Sequence, residues 1–164
     1  MEESTISITI AAVALAIAVF SLFYSKQKQE TNQKDPQTRA LQLQAYERLV
    51  ILCERIALPN LISRTNVPQL SAREMQVILS ENIKQEFEYN ASQQIYVSEV
   101  AWNSVRNLRD QNMLIINSIA KTLSAEATAN DLNRQLIEAM MHEEKAALHT
   151  YVASTLNAEA KKIM

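Results

Sequence analysis

The stretch that decides the fold is "SAREMQVILSENIKQEFEYN", residues 71–90. It opens with a capping box, in which the Ser71 hydroxyl and the Glu74 carboxylate satisfy amides that the start of a helix leaves without partners. Apolar residues then return at helical spacing and predict one buried face: Met75, Ile78, Leu79, Ile83 and Phe87. The stretch therefore predicts an amphipathic helix that packs against other helices.

The composition extends this prediction to the whole chain. The 164 residues include no glycine, whereas an average chain of this length has about eleven. Phosphate-binding loops, dinucleotide folds and tight hairpins need glycine for positive φ angles or for close approach of the backbone, so the sequence excludes them. Strong helix formers such as Ala, Leu, Glu and Gln are abundant. We predict an all-α fold.

Outward from residues 71–90, the same periodicity predicts three further helices and no sheet. They cover residues 38–57, residues 99–123 with Ser98 as the cap, and a segment from 128 or 130 to 162 that is long enough to project beyond the bundle. Residues 58–70 contain two prolines and predict a loop, with one helical turn at Asn60 to Arg64 as the alternative for its first half, because Pro59 stops the preceding helix. Residues 91–98 have an extended pattern without an obvious partner strand.

The N-terminal segment predicts a membrane anchor. Residues 5–24 carry no charge, and as a helix they would be about 30 Å long, which is the thickness of a bilayer hydrocarbon core. A cleaved signal peptide is disfavoured because the chain starts with Glu2 and Glu3 instead of basic residues, and a buried core helix would normally carry a polar stripe. Basic residues follow the segment, so the positive-inside rule predicts an outer N-terminus and a cytoplasmic body.

These patterns divide the chain into three parts. They are an N-terminal transmembrane anchor at 1–24, a polar juxtamembrane linker at 25–37, and a helical cytoplasmic domain of about four helices at 38–164. The net charge of the chain is -2, and Glu2 with Glu3 accounts for it, so the body is close to neutral and nucleic acid is not an expected partner.

No pattern predicts a catalytic or metal site. His142 and His149 lie two helical turns apart, about 10.5 Å along the axis, which is too far for one zinc ion. The single cysteine, Cys53, falls on an inner helix face and predicts a buried structural thiol. Asn112 interrupts an apolar seam and predicts a hydrogen-bonded core amide. We expect no cofactor, metal or small-molecule ligand; the alternative is an enzyme whose site is assembled from Glu143, His142 and His149.

Two blocks of the sequence resemble an uncharacterised protein family. They are "LQLQAYERLVILCERIALPNLISR", residues 41–64, and "IKQEFEYNASQQIYVSEVAWNSV", residues 83–105. The family looks like small single-span proteins of Bacteroidota, with an N-terminal span, a polar linker and a helical body. The resemblance implies a location in the bacterial inner membrane, and it brings no activity, cofactor or catalytic residue.

The predicted function is a non-enzymatic interaction module, in which a membrane anchor holds a helical body that docks a protein partner or associates with itself. Interfaces favour large amphipathic side chains, so the expected docking residues are Tyr46, Tyr96 and Trp102. Met140 and Met141 are expected to fill the core, with an adaptable partner groove as the alternative. The lipid bilayer is the expected partner of the N-terminal segment. The alternative function is a structural subunit of a larger inner-membrane complex, with the last helix as a coiled-coil arm.

Overall fold

Helices make up nearly all of the chain that the structure describes. The computed structural model covers residues 17–18, 20–21 and 35–164, without residues 143–144 and without the side chains of residues 142–147. By their contacts, the residues divide into two units, Met1–Thr38 and Arg39–Met164. The second unit is described almost throughout.

Six α-helices follow one another in the described ranges. They are α1 (Pro36–Ile56), α2 (Leu58–Thr65), α3 (Ala72–Tyr89), α4 (Glu99–Thr122), α5 (Ala129–His142) and α6 (Lys145–Ile163). A short 3-10 helix, Ala91–Ile95, connects α3 to α4. The prediction of an all-α fold is confirmed. Within the described residues, the only β-type pairing is a single bridge between Ser71 and Thr128.

The apolar faces of the helices converge on one core. Helix α4 is central to it, since it contacts α3, α5 and α6. Helix α6 also contributes to the core through Val152 and Leu156, which are both buried. The last helix therefore packs against the core at these positions. Every helix contributes buried apolar residues, among them Leu49, Leu52, Leu61, Leu79, Ile83, Leu108, Ile116, Leu132 and Leu136.

The prediction of a loop at residues 58–70 is wrong for its first half, where the alternative of a helical turn at residues 60–64 falls within a longer helix. Helix α2 occupies Leu58–Thr65, with Pro59 in its first turn. Proline is tolerated there because the first amides of a helix have no intrahelical partner to lose. Leu61 and Ile62 bury their side chains in the core, and this tertiary burial stabilises a helix that local propensity does not predict.

Residues 91–98 are not extended. Gln93 N donates to Asn90 O at 3.0 Å, and Tyr96 N donates to Gln93 O at 3.0 Å, which is the three-residue hydrogen-bond pattern of a 3-10 helix. The predicted long C-terminal helix is described as two helical segments, α5 and α6. Residues 143–144, which lie between them, are outside the described residues.

Helix α1 ends without the left-handed residue that commonly terminates a helix. No described residue has a positive φ angle, in keeping with a sequence that contains no glycine. The next residue of the chain and three side chains of α2 and α4 donate to the last carbonyls of α1 instead. The pairs are Cys53 O with Ala57 N (3.0 Å), Glu54 O with Asn60 Nδ2 (3.0 Å), Arg55 O with Arg64 Nη2 (3.3 Å) and Ile56 O with Asn112 Nδ2 (2.8 Å). The prediction that Asn112 is a hydrogen-bonded core amide is confirmed.

The predicted localisation, a single pass through the bacterial inner membrane with a cytoplasmic body, is wrong, because the helices lack the length and apolarity that a membrane span needs. None of the helices in the described ranges is both long enough and apolar enough to span a bilayer. The longer ones carry exposed charged residues, such as Glu47 in α1 and Arg106 in α4, which a hydrocarbon core disfavours. Residues 5–24, the predicted anchor, lie outside the described residues except for 17–18 and 20–21.

Helices α3 and α5 begin side by side, and each start carries a reciprocal cap. Ser71 Oγ accepts from Glu74 N at 3.3 Å, and Glu74 Oε2 accepts from Ser71 N at 2.9 Å, so the predicted capping box is confirmed. Thr128 and Asp131 repeat the arrangement: Thr128 Oγ1 accepts from Asp131 N at 3.3 Å, and Asp131 Oδ2 accepts from Thr128 N at 3.0 Å. Two backbone hydrogen bonds of 2.8 Å join the two helix starts: Ala72 N donates to Ala127 O, and Ala129 N donates to Leu70 O. The caps therefore hold one end of the bundle together.

Acid is expected to weaken these caps. The hydroxyl and backbone N–H of Ser71 lower the pKa of Glu74, and the backbone N–H and hydroxyl of Thr128 lower the pKa of Asp131. A carboxylate with a lowered folded-state pKa stabilises the fold above its unfolded pKa of about 4, and this contribution is lost as the pH falls through the folded pKa. From about pH 5 to about pH 2, the melting temperature should fall more steeply in wild type than in a Glu74→Gln, Asp131→Asn double variant. A Glu88→Gln control should keep the wild-type slope; equal slopes in all three proteins would contradict the prediction.

Candidate functional site

The structure places the three predicted docking residues at different depths. Tyr46 is buried, with 3% of its surface exposed, whereas Tyr96 and Trp102 are half-buried. The Trp102 ring packs against Phe87, with ring centroids 5.0 Å apart. All three side chains are therefore at least partly enclosed by the fold. Their part in docking stays a prediction.

Tyr46 belongs to a polar network that connects three segments of the chain. Its hydroxyl donates to Glu159 Oε2 at 2.7 Å and accepts from Ser98 N at 3.1 Å. Ser98 Oγ donates to the same carboxylate oxygen at 2.6 Å and caps α4 by accepting from Ala101 N at 3.0 Å, as predicted for Ser98. Burial, followed by the hydrogen bond to Glu159, raises the pKa of Tyr46. The network thus fixes α1, the start of α4 and α6 relative to one another.

An open groove lies between α1 and α6, and we call it the α1–α6 groove. Its volume is about 650 Å³. Polar residues contribute to its lining, but aliphatic side chains predominate, and Ile51 is 50% exposed. Its apolar and aromatic lining residues are Ala40, Leu43, Tyr46, Val50, Ile51, Ala160 and Met164. A groove of this kind between two helices is suited to the apolar face of a third helix.

A second groove lies between α1 and α3, and we call it the α1–α3 groove. Its volume is about 600 Å³, and Ile51 lines this groove as well as the first. Arg48 and Arg55 lie on its α1 side, and Glu86 and Tyr89 lie on its α3 side. Tyr89 is 76% exposed, and the Arg48 guanidinium carbon lies 5.2 Å from the centroid of its ring.

Sequence reasoning missed the α1–α3 groove. The available signal was Tyr89, an aromatic residue two positions after Phe87 and therefore off the apolar face of α3. The sequence shows that Tyr89 faces away from the core, but it does not show that Arg48 of α1 stacks against it. That pairing depends on how α1 and α3 are placed.

A smaller cavity of about 250 Å³ lies beside the end of α1, and Asn112, Met140 and His149 are among its lining residues. His149 Nε2 is buried 3.2 Å from Glu54 Oε1, a distance compatible with an ion pair, but the two atoms lack hydrogen-bond geometry. The predicted alternative catalytic group cannot be assembled from described atoms, because Glu143 and the His142 side chain lie outside the described residues.

Two further observations concern chemistry in this region. Cys53 is fully buried, and burial, followed by the charge of Glu54, raises the pKa of its thiol to about 12. The prediction that Cys53 is buried is confirmed; its purely structural role stays a prediction, favoured because a nucleophilic cysteine needs access and a lowered pKa. Within the described ranges, no three His, Cys, Asp or Glu side chains come close enough together to hold a metal ion.

Comparison with known proteins identifies a family but no individual relative. No curated protein and no solved structure matches the chain significantly. A family model described as a family of unknown function, DUF7935, matches residues 3–163, and this range includes both sequence blocks that resemble an uncharacterised family. The chain therefore belongs to the DUF7935 family of unknown function.

Proposed function

We propose that the helical body is a non-catalytic protein-interaction module and that the α1–α6 groove is its docking surface. The observation that supports this proposal is the groove itself: about 650 Å³ in volume, open to solvent and walled mainly by aliphatic side chains. Contiguous apolar surface that remains exposed on a folded domain commonly marks a binding site. The buried, weakly acidic thiol of Cys53 and the position of His149 beside Glu54 give no support to nucleophilic catalysis.

The occupant that fits this groove best is an amphipathic helix of a partner protein. Such a helix lays its apolar stripe into a groove through residues at positions i, i+3 or i+4, and i+7. Gln44, Glu47 and Asn157 add polar side chains to the lining, where they can meet the polar flanks of the helix. The partner would thus complete an apolar surface that α1 and α6 leave open.

The three predicted docking residues, Tyr46, Tyr96 and Trp102, remain part of this proposal. Tyr46 lines the groove, but its hydroxyl also holds Ser98 and Glu159, so Tyr46→Ala would disturb the fold together with any binding. Tyr96 and Trp102 remain proposed as further docking residues. The Bacteroidota origin of the family rests on the two sequence blocks alone and stays a prediction.

Replacing Ile51 with aspartate is expected to abolish capture of the partner. Ile51 is 50% exposed in the groove, and a carboxylate at this position would be forced against the apolar face of the partner. The loss of recovered partner should be at least about tenfold, which corresponds to about 1.4 kcal/mol. The measurement is affinity purification of the tagged full-length chain from its native cells, with quantitative mass spectrometry of the proteins that copurify.

Val77→Asp is the matched control, because Val77 is 53% exposed on α3 and lines neither groove. A protein that is retained with Val77→Asp and lost with Ile51→Asp would support the proposal. Circular dichroism must show that both variants melt like wild type. Equal recovery of every copurifying protein with the two folded variants would overturn the choice of this groove.

A further inference from the structure

We propose that the α1–α3 groove recognises an acidic side chain of the partner and that Arg48 is its carboxylate receptor. This inference rests on the proposed function and deepens it, since it names the chemistry of the partner: an amphipathic helix that carries Asp or Glu beside its apolar stripe. The argument depends on the way Arg48 is held, on the charges around it and on its position relative to Ile51.

Two contacts with the end of α3 orient the Arg48 guanidinium. Its Nε donates to Asn90 Oδ1 at 3.4 Å, and its carbon lies 5.2 Å from the centroid of the Tyr89 ring. Asn90 is itself buried, and its amide nitrogen donates to Glu86 O at 2.8 Å, so the acceptor is fixed by the end of α3. An arginine fixed in this way loses less conformational entropy when it binds a carboxylate.

The charge of Arg48 is not compensated within the described residues. Arg55 donates from Nε to Glu86 Oε1 at 2.6 Å, and Arg64 Nη2 lies 3.7 Å from the same oxygen, so Glu86 is already shared by two guanidinium groups. None of the described carboxylates lies within ion-pair distance of Arg48. Its terminal amino groups form no hydrogen bond to a described residue, and a guanidinium can bind a carboxylate through these groups.

The surroundings favour an acidic protein over a nucleic acid. One uncompensated guanidinium on a chain of net charge -2 does not make the basic face that phosphate backbones require. The exposed Tyr89 ring lies beside Arg48, and tyrosine and arginine are among the residue types that contribute most to the binding energy of protein interfaces. The groove therefore has the composition of a protein-recognition site.

Arg48 and Ile51 are three residues apart on α1, so they are neighbours on one face of the helix. Ile51 lines both grooves, and a partner helix that places an apolar side chain on Ile51 brings its own next turn close to Arg48. The geometry therefore predicts a motif in the partner: an acidic residue three or four positions from an apolar anchor.

The test uses a phage-displayed library of random peptides, selected on the full chain of wild type, Arg48→Gln and Arg106→Gln. Arg106 is an exposed arginine of α4 that lines neither groove, and its substitution controls for loss of one positive charge. Peptides selected on wild type and Arg106→Gln should be enriched in Asp or Glu three or four positions from Leu, Ile or Phe. Arg48→Gln should abolish the acidic enrichment, and the best wild-type peptide should bind this variant about tenfold more weakly. Equal acidic enrichment on wild type and Arg48→Gln, or its absence from both, would overturn the inference.

A parallel selection on Ile51→Asp separates this inference from the proposed function. If peptides depend on Ile51 but carry no acidic preference, the carboxylate receptor is wrong and the docking groove stands. If no selected peptide depends on Ile51, the docking groove is wrong, and this inference falls with it. Tight binding of labelled single-stranded DNA that is lost in Arg48→Gln would also overturn the inference, because Arg48 would then be a phosphate contact.

Discussion

Replacing Leu156 with alanine is expected to lower the free energy of unfolding by about 3 kcal/mol, which is within the usual range for a leucine truncated in a close-packed core. Leu156 lies on α6 and is 0% exposed. The truncation removes apolar area that folding takes out of water and leaves a cavity that the neighbouring side chains fill only in part. Urea unfolding, followed by circular dichroism, measures the change.

Leu114→Ala is the matched control, because Leu114 lies on α4 and is 58% exposed. Its truncation should change the free energy of unfolding by about 0.5 kcal/mol or less.

The pair of variants also distinguishes two functions. A C-terminal helix that serves as a coiled-coil arm of a larger complex would leave the isolated body indifferent to Leu156→Ala, whereas a helix that completes the core would not. Similar small losses in the two variants would therefore contradict the packing of α6 and favour the arm.

Replacing Asn112 with alanine is expected to destabilise the protein by about 2 kcal/mol, because the buried Ile56 carbonyl at the end of α1 loses its donor. Asn112 is itself buried, and its side-chain amide is the donor that the Ile56 carbonyl has in the folded protein. Asn112→Asp should be more harmful at neutral pH, since it brings a buried carboxylate towards a carbonyl oxygen. Thermal and urea unfolding of both variants give the comparison.

Asn107→Ala controls for the loss of an asparagine from α4, because Asn107 is exposed on the same helix. It should leave the stability unchanged to within about 0.5 kcal/mol. If Asn112→Ala proves as stable as Asn107→Ala, the capping hydrogen bond contributes nothing, and the end of α1 must be held by the neighbouring contacts alone.

The parts of the fold that could be predicted are those that local chemistry determines. The Ser71–Glu74 capping box is such a case, because both partners lie within one helical turn. Asn112 is another, since an amide in an apolar seam has to find a partner, although the sequence does not say that the partner is Ile56. Of helix α2, only one turn could be offered as an alternative to a loop, because Pro59 is equally compatible with a stop and with a start until the burial of the residues that follow is known.

The candidate site was harder to predict, since it consists of contacts between distant segments. The sequence presents Tyr46 as an amphipathic residue suited to an interface, but its hydroxyl is satisfied by Glu159, 113 positions along the chain. The sequence also presents Arg48 and Tyr89 as ordinary surface residues, and only the placement of α1 beside α3 makes them neighbours. Both surfaces proposed here for docking involve α1, whose apolar pattern correctly indicated a wide face but not which part of it remains uncovered.

The end of α1 has a consequence for the order in which the chain folds. A helix that stops at a glycine carries its own stop signal, and its boundary can form as soon as the helix does. In this chain, Asn60 and Arg64 of α2 and Asn112 of α4 supply three of the donors at that boundary, and the last of these lies 56 positions away. The last turn of α1 can therefore become fixed only when α2 and α4 have docked. Its boundary is a product of tertiary folding, and hydrogen exchange of amides in that turn should report opening of the whole core rather than local fraying.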